Sequence, residues 1–542
     1  MFVFRVCVFV GLFSAGLLFG QQTVRSADAV CARCHGEVYR RYLLTPMANA
    51  SGAAGDRLMP GGFTQAGAGV HYEVGRAPDG AYLSFADGRD GRIAGKHRLD
   101  YYLGSGHLGV TYLYTQEGYL LESPVAWYAA TGGYDMKPGL GQLKEMPGAI
   151  PMEATCLRCH MSGVAATEPG TLNRYAGLPF GQTGITCEGC HGEAGAHVRT
   201  GGKAAVVNPA KLDADRRDSV CISCHLEGDV TVQRAGRSPL AYRPGDRISD
   251  YLSYFIFASN NPLDRGVSEV EQFGASRCKR ASGDGMSCTS CHDPHGSPAA
   301  AERVAFYRGR CLACHGASFG ASHHVENSDC TSCHMPRSTA ENIPHVAWTD
   351  HRILREPGAG LPSRGAEKQS SLTAIYSPQA NDRDAAMARY TSLMVGLSQD
   401  REGTLVKLEG AYVAGSRDVR LLEALGVTEA LSGRGRESEA RFRELLRVDP
   451  VNLTALSNLG VYVARRGDVA AAVALWKPAF ARNEDMMDFA HNLALAECAM
   501  GDEAGAKATF AEALKFSPGA RAAWGFRCGG AGSSEGAGAA RQ

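Results

Sequence analysis

The sequence predicts a multidomain chain of three unlike parts. Seven copies of Cys-x-x-Cys-His imply a core built on covalently held groups, with little regular structure of its own. Between the first copy and the second, alternating Tyr, Val and Leu runs are broken by Pro-Asp-Gly, Asp-Gly and Glu-Gly, which implies a small antiparallel β insertion. Beyond residue 380 a 34-residue period implies an α-helical repeat solenoid.

The N-terminus reads "MFVFRVCVFVGLFSAGLLFGQQTVRSADA": one Arg, a short apolar stretch broken by Gly and Ser, then a polar segment with small residues. That is the pattern of a secretory signal peptide, expected over residues 1–27. Its apolar part is short for a bilayer span, and Cys7 follows Phe-Arg-Val, a poor lipidation context. No later stretch could cross a bilayer, so the expected mature protein is exported, to the periplasm or beyond. With 56 basic and 56 acidic side chains, the chain shows no electrostatic footprint for nucleic acid or an anionic membrane.

The seven motifs are Cys31-Cys34-His35, Cys156-Cys159-His160, Cys187-Cys190-His191, Cys221-Cys224-His225, Cys288-Cys291-His292, Cys311-Cys314-His315 and Cys330-Cys333-His334. Two thiols three apart can add to the two vinyl groups of one haem, and the adjacent imidazole reaches the iron from the same side. Structural zinc would need paired motifs completing four ligands, and has no use for a His directly behind every cysteine pair. Dithiol redox centres would not repeat seven times without a thioredoxin-like pattern around them. The reading is therefore seven covalent c-type haems, with the fourteen cysteines as attachment points and the seven motif histidines as proximal iron ligands.

A second imidazole closes the sixth position of a haem iron and suits it to electron transfer, whereas an open position admits small ligands and catalysis. Outside the motifs stand His71, His97, His107, His197, His295, His323, His324, His345, His351 and His491. His491 lies in the helical region and reads as structural. His295 follows its motif in "CHDPHG", where Asp-Pro turns the next side chain away from its own haem and toward a neighbour. His197 stands similarly in "CHGEAGAH", and His345 and His351 bracket "HVAWTDH". His323 and His324, of which one is needed, lie between the last two motifs, and His107 sits in "GSGHLG". These are the candidate distal ligands; His71 and His97 are weaker ones.

The segments "GITCEGCHGEAGAHV", "RRDSVCISCHLEGDV", "SRCKRASGDGMSCTSCHDPHG" and "DCTSCHMPR…HVAWTDHRI" resemble a family of exported multihaem c-type cytochromes, whose members often carry C-terminal tetratricopeptide repeats. The resemblance spans roughly residues 28 to 355 and extends between the motifs. It implies closely stacked, mostly bis-His haems, each distal ligand coming from a different chain segment. Relatives often place a ligand His about a dozen residues after the first motif, in a Thr-x-His setting. Here "YLLTPMANA" puts Met47 at that place, either as a thioether ligand that would raise that haem's potential or as an ordinary packing residue. Cys278 resembles a family position without an assignable role.

Residues 28–150 hold the first haem site and the β-rich insertion, with Tyr101, Tyr102, Tyr112, Tyr114, Trp127 and Tyr128 as its expected core. Residues 151–355 carry the other six motifs, so the haems must supply much of the interior of a haem-packed cytochrome c core. Haem propionates would also make the neutral chain acidic and attract a basic redox partner. Residues 356–379 read as a Pro, Gly and Ser-rich linker. In residues 380–526, Leu425-Gly426, Leu459-Gly460 and Leu493-Ala494 recur every 34 residues, as do Gly433, Gly467 and Gly501. Phe442, Trp476 and Phe510 keep the same spacing: the tetratricopeptide (TPR) pattern, with a degenerate repeat over 380–415. Such repeats dock protein partners. Cys498 reads as a small core residue of a repeat helix, and residues 527–542 as a disordered tail.

The expected function is electron relay in the cell envelope, with the repeats docking a redox partner. The alternative is a multihaem reductase of a small nitrogen or sulfur compound, with one open-site haem; no motif here replaces its His by Lys, as some such reductases do.

Overall fold

The computed structural model describes residues 28–257, 265–323, 328–339, 342–343, 345–356, 372–376, 380–520 and Cys528. The expected signal peptide and His324 lie outside these residues, as do most of the expected linker and tail.

The first motif sits on α1 (Ala29–Tyr42). Ten strands follow: β1 (Ser51–Ala53), β2 (Gly61–Gln65), β3 (Val70–Ala77), β4 (Gly80–Asp87), β5 (Ala94–Leu99), β6 (Tyr101–Leu103), β7 (Gly109–Gln116), β8 (Tyr119–Glu122), β9 (Val125–Tyr128) and β10 (Gly133–Met136). They form a four-stranded sheet, β2-β3-β4-β5, and a six-stranded one, β1-β6-β7-β9-β10 with β8 on β7. This is more than the small sheet expected. The turns fall where the sequence marks them. Pro78-Asp79 joins β3 to β4, and Glu117-Gly118, with φ of 50° and 88°, makes the tight turn between β7 and β8. On β3, Val70, Tyr72 and Val74 point inward while His71 and Glu73 face out, the period-2 pattern of a half-buried sheet. Tyr102, Tyr112, Tyr114 and Tyr119 complete this core, whereas Tyr101 and Trp127 are only partly buried.

The next segment is irregular. It carries α2 (Ala154–Leu157), β11 (Met161–Val164), β12 (Phe180–Thr183), α3 (Cys187–His191), α4 (Gly195–Arg199), α5 (Ala214–His225), β13 (Val230–Gln233) and β14 (Leu252–Phe257). Then come α6 (Glu269–Ala275), α7 (Arg277–Ser282), α8 (Arg303–His315), α9 (Ala317–Ser322), α10 (Cys330–His334), β15 (Arg337–Thr339) and β16 (Ala347–Thr349). A helix on a protein core normally buries an apolar stripe. Helices α3, α4, α7, α8 and α10 bury no residue at all. Three of these five carry Cys-x-x-Cys-His.

The end of the expected linker is not a linker. Leu372–Ile375 forms β17, which pairs with β14 in the sheet β13-β14-β17. Alternating Leu372, Ala374 and their neighbours find a sheet edge there that composition could not reveal.

Eight helices follow as four antiparallel pairs: α11 (Asp382–Met394) with α12 (Arg401–Val413), α13 (Val419–Leu431) with α14 (Gly435–Val448), α15 (Leu453–Arg465) with α16 (Val469–Phe480), and α17 (Met487–Ala499) with α18 (Glu503–Phe516). The side chains of Asp400, Asp418, Asp468 and Asp502 each accept the backbone N–H three residues on and start a helix. Gly433, Gly467 and Gly501, with φ of 75°, 87° and 82°, end the first helix of each period. The Leu-Gly and aromatic periodicities meet between helices: a Cβ on Gly426 would lie 2.7 Å from the Phe442 ring, and one on Gly460 2.1 Å from Trp476 Nε1.

This solenoid is anchored at both ends. Next to β13, Arg383 donates to the Gln233 carbonyl at 2.7 Å, and Ser253 donates to Asp384 at 2.9 Å. At the far end Phe516 enters the β-insertion core, edge-on to Tyr119 at 5.3 Å. Asn173 donates to Asp485 at 3.0 Å, and Asn483 to the Gly170 carbonyl at 2.9 Å. Cys498 differs from expectation. It forms a disulfide with Cys528, which ties the start of the expected tail back to α17. Both cysteines read as solitary in a spacing search because they lie 30 residues apart and outside any motif.

Candidate haem-binding sites

Each motif folds as a helical turn or close to one, so the cysteines at i and i+3 and the His at i+4 leave on one side. The decisive geometry is between histidines. The rings of His35 and His197 lie 6.4 Å apart at 17°, and those of His191 and His295 5.9 Å apart at 8°. His292 and His351 are 6.2 Å apart at 33°, and His334 and His323 5.9 Å apart at 26°. A metal–imidazole bond is about 2 Å long, so two imidazoles bound to one iron place their ring centres about 6 Å apart. Each pair joins a motif His to a non-motif His from a different stretch of chain.

The other ring nitrogen supports the same arrangement. Nδ1 of His191 lies 2.8 Å from the Val207 carbonyl, and Nδ1 of His197 2.8 Å from that of Ala204. Nδ1 of His334 is 2.5 Å from the Leu354 carbonyl, and Nδ1 of His351 2.9 Å from that of Thr349. A carbonyl at Nδ1 fixes the proton there and leaves Nε2 as a free lone pair, the form a metal ligand needs. Burial and then the neighbouring His351 push the His292 imidazole down from its ordinary value, and burial and then His191 do the same to His295.

The remaining candidates are placed otherwise. His345 spends Nε2 on Asp135 at 2.8 Å and stands edge-on to Tyr128, with a left-handed φ of 58°. Its Nε2 is therefore engaged, and among the described residues it faces no motif His. His107 is exposed on the loop between β6 and β7, and among the described residues it stacks on no histidine. Met47 lies between the motifs, its carbonyl accepting from Ile185 N–H at 3.0 Å. The imidazole opposite His35 is that of His197. Among the described residues His160, His225 and His315 have no imidazole opposite; the Nδ1 of His160 is out of solvent and without a partner. His71 is on the outer face of β3, 2.8 Å from Thr64.

His97 is a structural histidine. It stacks between Phe85 and Tyr114, 4.4 Å from the latter, and burial pushes it down from 6.5 to about 4. An unfolded chain takes up this proton near pH 6.5, the fold only near pH 4, so the insertion loses stability as pH falls through that window. The loss reaches up to about 3 kcal/mol. Urea titrations between pH 7 and pH 4 should show it, and His97→Phe should flatten the profile over the same range.

The thiols are clustered across motifs. Cys31 and Cys187 lie together with Asp28, their ligand atoms within 4.8 Å of one another. A neighbouring thiol of another motif, with burial, pushes up Cys159 beside Cys224 and Cys221 beside Cys288, and burial, then Cys330, pushes up Cys311. Pairings of this kind could not be read from spacing, since each joins residues far apart in sequence. The residues fit haem: paired thiols on one side of a helical turn, an adjacent imidazole, and helices that bury no side chain.

Residues 281–320 match the doubled CXXCH motif, and residues 140–192 match cytochrome c554 and c-prime. The multiheme cytochrome MtrA of Shewanella baltica (strain OS185) is 23% identical over 158 residues, 26% of this chain. The match spans 46% of that relative's length. Among solved structures, MamA AMB-1 is 20% identical with a TM-score of 0.22, covering 26% of this chain and 80% of that one. YrrB, a TPR protein with an unusual peptide-binding site, is 13% identical with a TM-score of 0.23, covering 26% and 72%. Among the described residues no helix is long and apolar enough to cross a membrane. The repeated haem-binding motifs, the family matches over two of the motif-bearing segments and the four helical pairs behind them support a multihaem c-type cytochrome with a TPR-like region.

Proposed function

We propose that the protein relays electrons through seven haems in the cell envelope, most of them bis-His. The observation that carries this is the set of four facing histidine pairs: His35 with His197, His191 with His295, His292 with His351, and His334 with His323. Haem, when bound, supplies a one-electron couple at each site. The chain's own residues do the rest. The thiols anchor, the motif imidazoles orient, and the second imidazoles close the sixth position so that no small molecule needs to bind. Backbone carbonyls at Nδ1 hold the rings in the ligating tautomer. The solenoid braces this region at both ends and offers its remaining faces to a redox partner.

Electron paramagnetic resonance of the fully oxidised protein, integrated per haem, tests the reading. At least four irons should be low-spin, matching the four facing pairs. His351→Ala should convert one low-spin iron into a high-spin one while the visible absorbance per protein stays unchanged. A wild-type high-spin signal at His160, His225 or His315, where no imidazole stands opposite, would favour the second reading, a reductase with an open site.

A further inference from the structure

We propose that residues His351–Leu354 form one positioning device that serves two haem sites, holding the second imidazole of one and setting the motif imidazole of the other. This rests on the relay reading and deepens it. It starts from a fault in a strand register. In the hairpin of β15 and β16, Arg337 lies opposite Thr349, and the Pro336 carbonyl accepts the Asp350 N–H at 2.9 Å. Continued in that register, His334 would lie opposite Arg352. Its carbonyl instead accepts the Leu354 N–H at 3.0 Å, so two extra residues are looped out of the later strand.

The two ends of the loop are engaged at different sites. At its start the His351 imidazole faces His292 at 6.2 Å, its Nδ1 lies 2.9 Å from the Thr349 carbonyl, and its backbone N–H donates to Gln272 Oε1 at 2.8 Å. At its end the Leu354 carbonyl lies 2.5 Å from Nδ1 of His334, the imidazole that faces His323. Leu354 therefore holds the last motif His by its main chain and by its ring. Three residues of backbone reach on the order of 10 Å at most, so neither end can shift far without pulling on the other.

Two features fix the loop. Arg352 grips the buried Asp350 carboxylate, with its backbone N–H at 2.8 Å, Nε at 3.1 Å and Nη2 at 2.7 Å. Ile353 has a left-handed φ of 52°. That backbone is an outlier for a β-branched residue and persists only where its surroundings impose it. Here it closes the bulge, turning the chain back to His334 after His351 has left the ladder. A carbonyl on Nδ1–H makes an imidazole a stronger donor to a metal, which favours oxidised iron. Leu354 thus lowers the potential at the Cys330-Cys333-His334 site, from the same segment that completes the Cys288-Cys291-His292 site.

The test uses the holoprotein with two substitutions at one position. Ile353→Pro cannot take a positive φ, whereas Ile353→Gly takes it freely. In electron paramagnetic resonance, the low-spin signal lost in His323→Ala marks the iron at His334. Ile353→Pro should shift the g values of that signal and raise the ratio of reduced to oxidised iron at one haem severalfold at a fixed potential. Ile353→Gly should leave both as in the wild type. An unshifted signal in Ile353→Pro, or an equal shift in both variants, overturns the device and leaves the relay standing. If Ile353→Pro does not fold, His351→Ala decides: besides turning its own iron high-spin, it should shift the marked signal, and a signal that stays in place overturns the proposal. If neither His351→Ala nor His323→Ala lowers the number of low-spin irons, the ligand pairs of the relay reading fail, and the device with them.

Discussion

Protein made without haem should leave residues 277–345 unfolded while the β insertion and the solenoid persist. No apolar side chain is buried between Arg277 and His345 among the described residues, and α8, thirteen residues long, buries none. An ordered backbone costs about 1–2 kcal/mol per residue in entropy, and nothing in this segment offsets that without the cofactor. The insertion, by contrast, has Tyr72, Tyr102, Tyr112 and Leu121 fully buried, and the solenoid has Leu421, Leu425, Phe442 and Leu445. Limited proteolysis with mass spectrometry checks this: expression without haem attachment should give early cuts between 277 and 345, with a resistant fragment over 380–520. Equal resistance across the chain would mean that protein contacts alone hold the haem-motif region.

Phe516→Ala should cost about 3–5 kcal/mol and release the last repeat from the sheet. The ring is 4% exposed, lies at the end of α18, and packs into a core whose other buried members run from Ala54 to Met136 in the β insertion. Losing it removes the edge-on contact to Tyr119 and opens a cavity between the last repeat and the sheet. Hydrogen exchange should then rise over 503–516 and at the β7–β8 hairpin, where Gln116 donates to the Lys515 carbonyl at 3.0 Å. Phe319→Ala, at a ring 43% exposed, is the control and should leave both regions protected.

Much of this architecture was legible in the chain because local rules carry it. The β turns were read from Pro-Asp-Gly and Glu-Gly, since few residues tolerate the left-handed φ of Glu117 and Gly118. The helical pairs were read from a 34-residue recurrence, because the crossing point filled by Gly460 and Trp476 is filled one period earlier by Gly426 and Phe442. The linker was misread at Leu372–Ile375, where a strand depends on the free edge of β14, more than a hundred residues earlier. Cys498 was misread for the same reason: its partner is settled by where the chain returns after α18.

The site divides along the same line. The sequence by itself determined what chemistry is present, because the haem-binding unit is local: two thiols and an imidazole within five residues attach one group without help from the rest of the chain. It also listed the histidines that could complete each site. Only the tertiary structure decided that His197 faces His35, that His351 faces His292, and that His345 turns its Nε2 to Asp135 instead. The physical reason is that a haem held by a motif would be closed on its other side by a residue from elsewhere in the chain. What fills it depends on which distant segment is packed there, and no local spacing records that.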